Sequence, residues 1–403
     1  MIVGPCTVVT GGAEPVVLED AAVRVLGAHI SHVGPAGHLA AAFPEDMRWP
    51  ARGRLLMPGF VNTHAHLARH FARGLPMRTP SDWRRYERAL DAEDVYWAVA
   101  AALIEGVRHG VTTVCDFHRA GPGVDASLSE VATAAGKVGV RVATCWGTSE
   151  TDAPQERRAT VRESRGFGAQ LRRDGKVRAM MGVEAVTLAG IDALVDDAMA
   201  EAGENVPVHV DLALDLTPAE LGRTRGTSRR TMPAVVWAHA ENAPRDLVQG
   251  ARERGDLLTA IGFGSVAALV REAEVGWGSD ASVNAPPIPD QTPGWTLGAR
   301  ADCHYRRLYV NGPRWAGRFF GERLGTISPG APADLVLVDY RPATEFSSRT
   351  LMEHLWAGLL RAPVSSVMVA GEIVMDNGVL VTLDEKEVSA KVKESARRAW
   401  GRL

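Results

Sequence analysis

From Ala92 to Gly278 the chain repeats one pattern, an amphipathic helical stretch followed by a short apolar run. This alternation restricts the fold more than any other feature. It predicts a helix over 92–109 and a strand over 111–115, then helix 127–138 and strand 140–145, helix 155–173 and strand 177–183, and helix 191–202 and strand 206–210. Two further strands are expected at 234–237 and 275–278. Strands joined through crossing helices run parallel. This many βα units in one domain favour a closed (β/α)8 barrel of the TIM type. An open doubly wound sheet is the competing arrangement, but no Gly-x-Gly-x-x-Gly follows an early strand.

Both ends of the chain read differently. Residues 1–35 carry short apolar runs punctuated by Gly11-Gly12 and Gly27. Near the other end Leu335 to Val338 begins a matching region, and Val364 to Met375 reads as a hairpin turning at Gly371. Neither fragment alone has enough apolar residues for a core. The expected organisation is a composite β-sandwich from residues 1–56 and 325–384, an α/β barrel over 57–324, and a C-terminal helix over 385–403.

Composition removes several classes of function. The chain has 403 residues and a net charge of −3, so it offers no basic footprint for nucleic acid. It has no apolar span long enough for a membrane helix and no basic segment before an apolar run at its start, which makes a soluble, cytoplasmic protein the expectation. Its four cysteines lie far apart, at 6, 115, 145 and 303, as suits a reducing compartment.

Chemistry concentrates where the expected strands end, which is where TIM-type barrels carry their sites. Leu55 to Val61 leads into His64-Ala65-His66, and residues two apart in a strand share a face. Asp116 and His118 follow the strand 111–115, and Glu184 follows 177–183. His209 and Asp211 end the strand 206–210, His239 follows 234–237, and Asp280 follows 275–278. Imidazoles and carboxylates gathered at one end of successive strands form a metal-site pattern suited to zinc or iron. The tryptophans in helix and strand patterns, Trp237 and Trp277 among them, are expected in the core rather than in a stacking platform.

The stretches Met57-Pro-Gly-Phe-Val-Asn-Thr-His-Ala-His, Gly110-Val-Thr-Thr-Val-Cys-Asp-Phe-His, Trp237-Ala-His, Gly278-Ser-Asp and Pro329-Gly-Ala-Pro-Ala-Asp-Leu-Val-Leu-Val-Asp-Tyr resemble the amidohydrolase superfamily over nearly the whole chain. The resemblance is strongest to its cytosine-deaminase and chlorohydrolase-like branch, and within that to SsnA-type aminohydrolases. It implies a mononuclear centre holding one divalent transition metal, zinc before iron. His64, His66, Asp280 and a strand-five residue would be its ligands. It also implies a small-molecule substrate, and because relatives are often dimers a homodimer is one assembly open to it. Binuclear relatives use a lysine at the end of strand four, whereas Lys176 lies at the start of its strand.

Strand five departs from the family pattern His-x-His-x-x-Glu. Here the chain reads Val208-His-Val-Asp-Leu-Ala-Leu214-Asp215. One register makes Asp211 the ligand and puts Leu214 in the place of the proton-shuttling glutamate. The other makes His209 the ligand and puts Leu212 there. The family's asparagine-bearing segment is also missing from 257–270, and Glu184 stands where relatives have a histidine. The expected catalytic groups are Asp280 and His239, with Glu184, His118 and His239 contacting substrate. Asp215, Glu184 and Glu241 are candidates for the displaced acid. Three readings stay open: a metal-dependent hydrolase of a C–N or similar bond in a small, perhaps cyclic, substrate; a relative of altered chemistry such as a cyclase, lyase or decarboxylase; and a catalytically degenerate binding protein.

Overall fold

The computed structural model describes residues 1–120, 127–149, 151–171, 175–185, 194, 206–212, 235–243, 245–261, 274–286 and 297–403. The chain divides into two compact units. One holds Met1–Val61, Gly106–Thr113 and Ala285–Thr382, and the other holds Asn62–Glu105, Val114–Asn284 and Leu383–Leu403.

In the first unit, strands β1 (Ile2–Val9), β2 (Val17–Leu26), β3 (His29–Pro35), β4 (Arg48–Trp49) and β5 (Leu55–Pro58) join four late strands in one nine-stranded mixed sheet. β5 is the link between the two chain ends. It lies parallel to β1 and antiparallel to Leu335–Val338, with Leu335 opposite Pro58 and Val338 opposite Leu55. Alternation decides which side chains are interior: Leu335 and Leu337 pack in one core with Val3, Val8, Val23 and Leu56. The hairpin expected at Gly371 is present, and Ala370 and Gly371 both have positive φ, 51° and 78°. That is the φ pattern of a type I′ turn.

The barrel strands are β6 (Phe60–Ala65), β7 (Val111–His118), β8 (Arg141–Ser149), β9 (Val177–Ala179), β10 (Met181–Glu184), β11 (Val208–Asp211), β12 (Val235–Ala238), β13 (Leu257–Ile261) and β14 (Glu274–Gly278). β9 pairs with β8 off the main path, and the other eight run in the order β14-β13-β12-β11-β10-β8-β7-β6. A parallel bridge between Ala65 and Asp280 brings the ends of this path together. The late strands of the first unit are β15 (Leu335–Val338), β16 (Val364–Val369), β17 (Glu372–Asp376) and β18 (Val379–Leu380). The expected barrel and small β domain are both present.

Differences from the pattern reading are local. The strand expected at 111–115 continues to His118, so Asp116 and His118 belong to it. The strand expected at 177–183 is interrupted at Met180, whose N–H turns to Thr144 O at 2.8 Å. β13 was not among the expected strands, because a five-residue apolar run has no distinctive period, although Gly255-Asp256 and Gly262 flank it. The helix expected over 191–202 lies outside the described residues apart from Leu194, as does Ala234. Trp237 and Trp277 are fully buried, and the indole N–H of Trp237 donates to Asp256. Among the described residues no helix is long and apolar enough to cross a membrane.

Candidate metal centre

Three glycines make room for the site. A Cβ on Gly59 would lie 2.2 Å from Thr112 Oγ1, so the Pro58-Gly59 step lets β6 start against β7. A Cβ on Gly278 would lie 2.9 Å from His64 Cβ and 2.8 Å from Thr259 Cγ2. The close approach of β14 to the histidine strand therefore depends on a bare backbone. A Cβ on Gly147 would strike the Phe117 ring at 2.1 Å, and that ring packs against His64, His66 and His209.

His64 and His66 share one face of β6 and are buried, with ring centroids 4.9 Å apart. Asp211 and Asp280 converge on them. His66 Nε2 is 3.2 Å from Asp211 Oδ2 and 3.4 Å from Asp280 Oδ1, and His64 Nε2 is 3.9 Å from Asp280 Oδ1. His239 Nε2 approaches Asp211 at 3.6 Å and Asp280 at 3.9 Å. Its backbone is left-handed (φ 57°), as is that of Asp280 (φ 54°). Side chains from the ends of β6, β11, β12 and β14 thus meet in one place.

The two strand-five candidates occupy different levels. Asp211 carries its oxygens into the cluster. His209 sits behind it, with Nε2 2.9 Å from His64 Nδ1. For His64 Nε2 to offer a lone pair, Nδ1 carries the proton and donates it to His209 Nε2. Burial, reinforced by neighbouring cationic groups, holds His64 well below the ordinary imidazole pKa and His66 at about 3. Burial lowers His209 to about 3 despite Asp211. All three are the neutral imidazoles that a metal requires. His239 is pushed up to about 9: burial opposes its charge, but the Glu241, Asp211 and Asp280 carboxylates outweigh it.

The donor set fits a cation. His64 Nε2, both ring nitrogens of His66 and Asp211 Oδ1 are buried without a hydrogen-bond partner among the described residues, which is costly for a folded protein. The candidate atoms of His64, His66 and Asp211 lie within 4.8 Å of one another, as do those of His64, His239 and Asp280. Donors about 2.1 Å from a tetrahedral zinc lie about 3.4 Å apart, close to the spacings observed here. Two carboxylates, Asp211 buried and Asp280 partly exposed, face these imidazoles and offer negative charge to a divalent ion.

An ion-pair network surrounds this centre. Arg69 donates to Glu87 through Nε (3.0 Å) and Nη2 (2.8 Å), comes within 3.9 Å of Asp280, and lies 4.7 Å above the Trp83 ring. Arg119 donates to Glu184 at 2.8 Å and Asp152 at 3.1 Å and lies 3.5 Å from Glu87. Glu87, Arg119 and Asp152 border a pocket of about 180 Å³ that Arg84 and Trp146 also line. Glu184 is therefore held by Arg119, with Arg84 at 3.6 Å.

His118 is not brought to the cluster. Its Nε2 is 2.6 Å from Ser127 Oγ and its ring faces Trp146, while adjacent Phe117 points to the histidines, because neighbours on a strand point oppositely. Asp116 is buried, accepting from Leu67 N–H and Thr144 Oγ1, and burial raises its pKa to about 7. Leu212 is packed in the core with Val208 and Val210. Leu214 and Asp215 lie outside the described residues, as do residues 262–270 of the segment where relatives carry asparagine. Lys176 reaches Gly139 O at 3.2 Å, before its strand begins. Sequence reasoning missed Arg69, Glu87, Arg119 and Phe117. Arg119 directly follows a strand end, which was the one available signal.

Residues 55–227 match the family model for the amidohydrolase family. The chain is 26% identical to a 5-methylthioadenosine/S-adenosylhomocysteine deaminase of Pelotomaculum thermopropionicum, over all of this chain and 99% of that protein. It is 27% identical to a protein of the same name from Symbiobacterium thermophilum, over 96% of each chain. Among solved structures, an atrazine chlorohydrolase of Arthrobacter aurescens complexed with zinc is similar with a TM-score of 0.74 at 19% identity, covering 98% of this chain and 99% of that one. An adenosine deaminase of Xanthomonas campestris with bound zinc gives 0.73 at 21% identity, covering 99% and 98%. The two solved structures establish the shared fold.

Proposed function

We propose that this chain, whose residues 55–227 match the amidohydrolase family model, is a metal-dependent hydrolase cleaving a C–N bond of a small, cyclic substrate. The observation that carries this reading is the convergence of His64, His66, Asp211 and Asp280, with buried donor atoms left without partners. Those four residues would hold one divalent ion, and their nitrogen and oxygen donors favour zinc. When bound, such an ion supplies Lewis-acid chemistry and lowers the pKa of a water toward about 7.

The protein's own groups divide the remaining work. Asp280, partly open at 31% side-chain exposure, accepts the proton of the attacking water. His239 reaches the same space with Nε2, while its Nδ1 lies 3.5 Å from Glu241, which fixes the ring. From there it polarises the substrate carbonyl or imine. Arg69 Nη1 lies 3.9 Å from the Asp280 carboxylate and places a positive charge beside it. With Leu212 in the core and Glu184 engaged by Arg119, neither supplies the family's shuttle acid. Asp215 and Glu241 remain the candidate acids for protonating the leaving group. The deaminase relatives make purine amines the first substrates to test. The widely spaced cysteines, three of them buried, fit a reducing cytoplasm, and a homodimer is the assembly we propose.

The test pairs metal analysis with a substrate panel. Purified protein should contain about one zinc per chain, and His64→Ala/His66→Ala should contain none while keeping its folded circular-dichroism spectrum. Metal-loaded protein should hydrolyse a member of a panel of 5-methylthioadenosine, S-adenosylhomocysteine, adenosine, cytosine and aminotriazines. Asp280→Asn should lower that turnover by about 10²–10⁴. Equal metal content in wild type and the double variant refutes the reading.

A further inference from the structure

We infer that Asn62 is a positioning residue of this centre: its carboxamide ties β6 to the segment following β14 and so sets where the Asp280 carboxylate points. The inference rests on the reading above, in which Asp280 is a ligand.

β6 and β14 are the two ends of the eight-strand path, and the bridge between Ala65 and Asp280 joins them. Asp280 is bonded across this seam through its backbone, which leaves the carboxylate's direction to its surroundings: its N–H donates to His64 O at 3.1 Å and its carbonyl accepts from His66 N–H at 3.0 Å. Asp280 also has a left-handed backbone, φ 54°, unfavourable for a residue with a side chain. Such a conformation persists only where the surroundings over-determine it.

Asn62 supplies that restraint. It is fully buried, and its side chain makes four hydrogen bonds. Nδ2 donates to Ser279 Oγ and to Asn284 Oδ1, both at 2.8 Å. Oδ1 accepts from His64 N–H at 3.2 Å and from Ser279 N–H at 3.3 Å. Both donors and both acceptor sites of the carboxamide are used. One side chain therefore spans a ligand-bearing strand and both flanks of the loop carrying another ligand.

The far end of that loop is anchored in turn. Asn284 donates to Ala102 O at 3.1 Å and, through its N–H, to Glu105 at 3.0 Å. Arg73 pairs with Glu105 and donates to Ser282 O at 3.0 Å. Asp280 lies between two fixed points, and Asn62 holds both. An aspartate at 62 has the same shape but no N–H. It would lose both donated bonds and set an oxygen against Asn284 Oδ1.

The experiment uses the full chain stripped of metal, with Zn²⁺ affinity measured by competition against a chromophoric chelator and the visible spectrum recorded after Co²⁺ loading. Asn62→Asp is expected to weaken Zn²⁺ binding by about 10–100-fold, the usual cost of losing an outer-shell partner, and to alter the Co²⁺ bands. Asn284→Ala, which removes one of the four bonds, is the second variant and should move both readouts the same way by a smaller factor. Unchanged affinity and spectrum in folded Asn62→Asp overturn the inference. If that variant does not fold, unchanged values in Asn284→Ala overturn it. Wild-type protein that binds no Zn²⁺ instead overturns the proposed function.

Discussion

Replacing Asp116 by asparagine tests how the barrel carries a buried carboxyl beside its metal centre. Asp116 is wholly buried, and burial raises its pKa from 3.8 to about 7, although Leu67 N–H, Thr144 Oγ1 and Arg69 favour the ionised form. The folded pKa lies above the unfolded one, so between about pH 4 and 7 the folded protein binds the proton that the unfolded chain has released. Stability from this group is therefore fully present below about pH 4, falls as pH rises, and is lost above about 7. A difference between 3.8 and about 7 corresponds to about 4 kcal/mol. Asparagine cannot ionise, yet it keeps an acceptor for Leu67 N–H and gains a donor toward Thr144. Metal-stripped wild type and Asp116→Asn would be unfolded in urea from pH 4 to 8, followed by fluorescence with buried Trp237 and Trp277 as reporters. Other titrating groups, the neutral histidines included, contribute nearly equally to both proteins and largely cancel in the difference. The variant should gain on wild type as pH rises, by up to about 4 kcal/mol at pH 8. A difference that stays flat across this range refutes the reasoning.

Further outcomes follow from packing and charge. Gly278→Ala sets a Cβ 2.9 Å from His64 Cβ and 2.8 Å from Thr259 Cγ2. It should cost about 1–3 kcal/mol by overpacking and weaken zinc binding through His64, as calorimetry and chelator competition would show. Arg119→Met leaves Glu184 and Asp152 without their shared guanidinium. Loss of about 3–5 kcal/mol is expected in urea unfolding, with metal stoichiometry unchanged because Arg119 touches no proposed ligand.

The strand–helix alternation from Ala92 to Gly278 and the His64-x-His66 pair were legible in the sequence because period and spacing are local properties. Residues two apart on a strand share a face whatever surrounds them. The same rule, applied at the strand ends, singled out Asp211, His239 and Asp280, all of which reach the cluster. It could not separate His209 from Asp211, since both lie on one face of β11, and depth along the barrel decides between them. It could not place His118 either, because which face of β7 looks inward depends on where its neighbours pack. Arg69 and Arg119 were invisible for a related reason. A guanidinium gains its meaning from carboxylates such as Glu87, 18 positions after Arg69, and Glu184, 65 positions after Arg119. Asn62 read as one letter of a motif. Its four bonds join residues as many as 222 positions apart, and only closure of the barrel brings them within reach of one side chain.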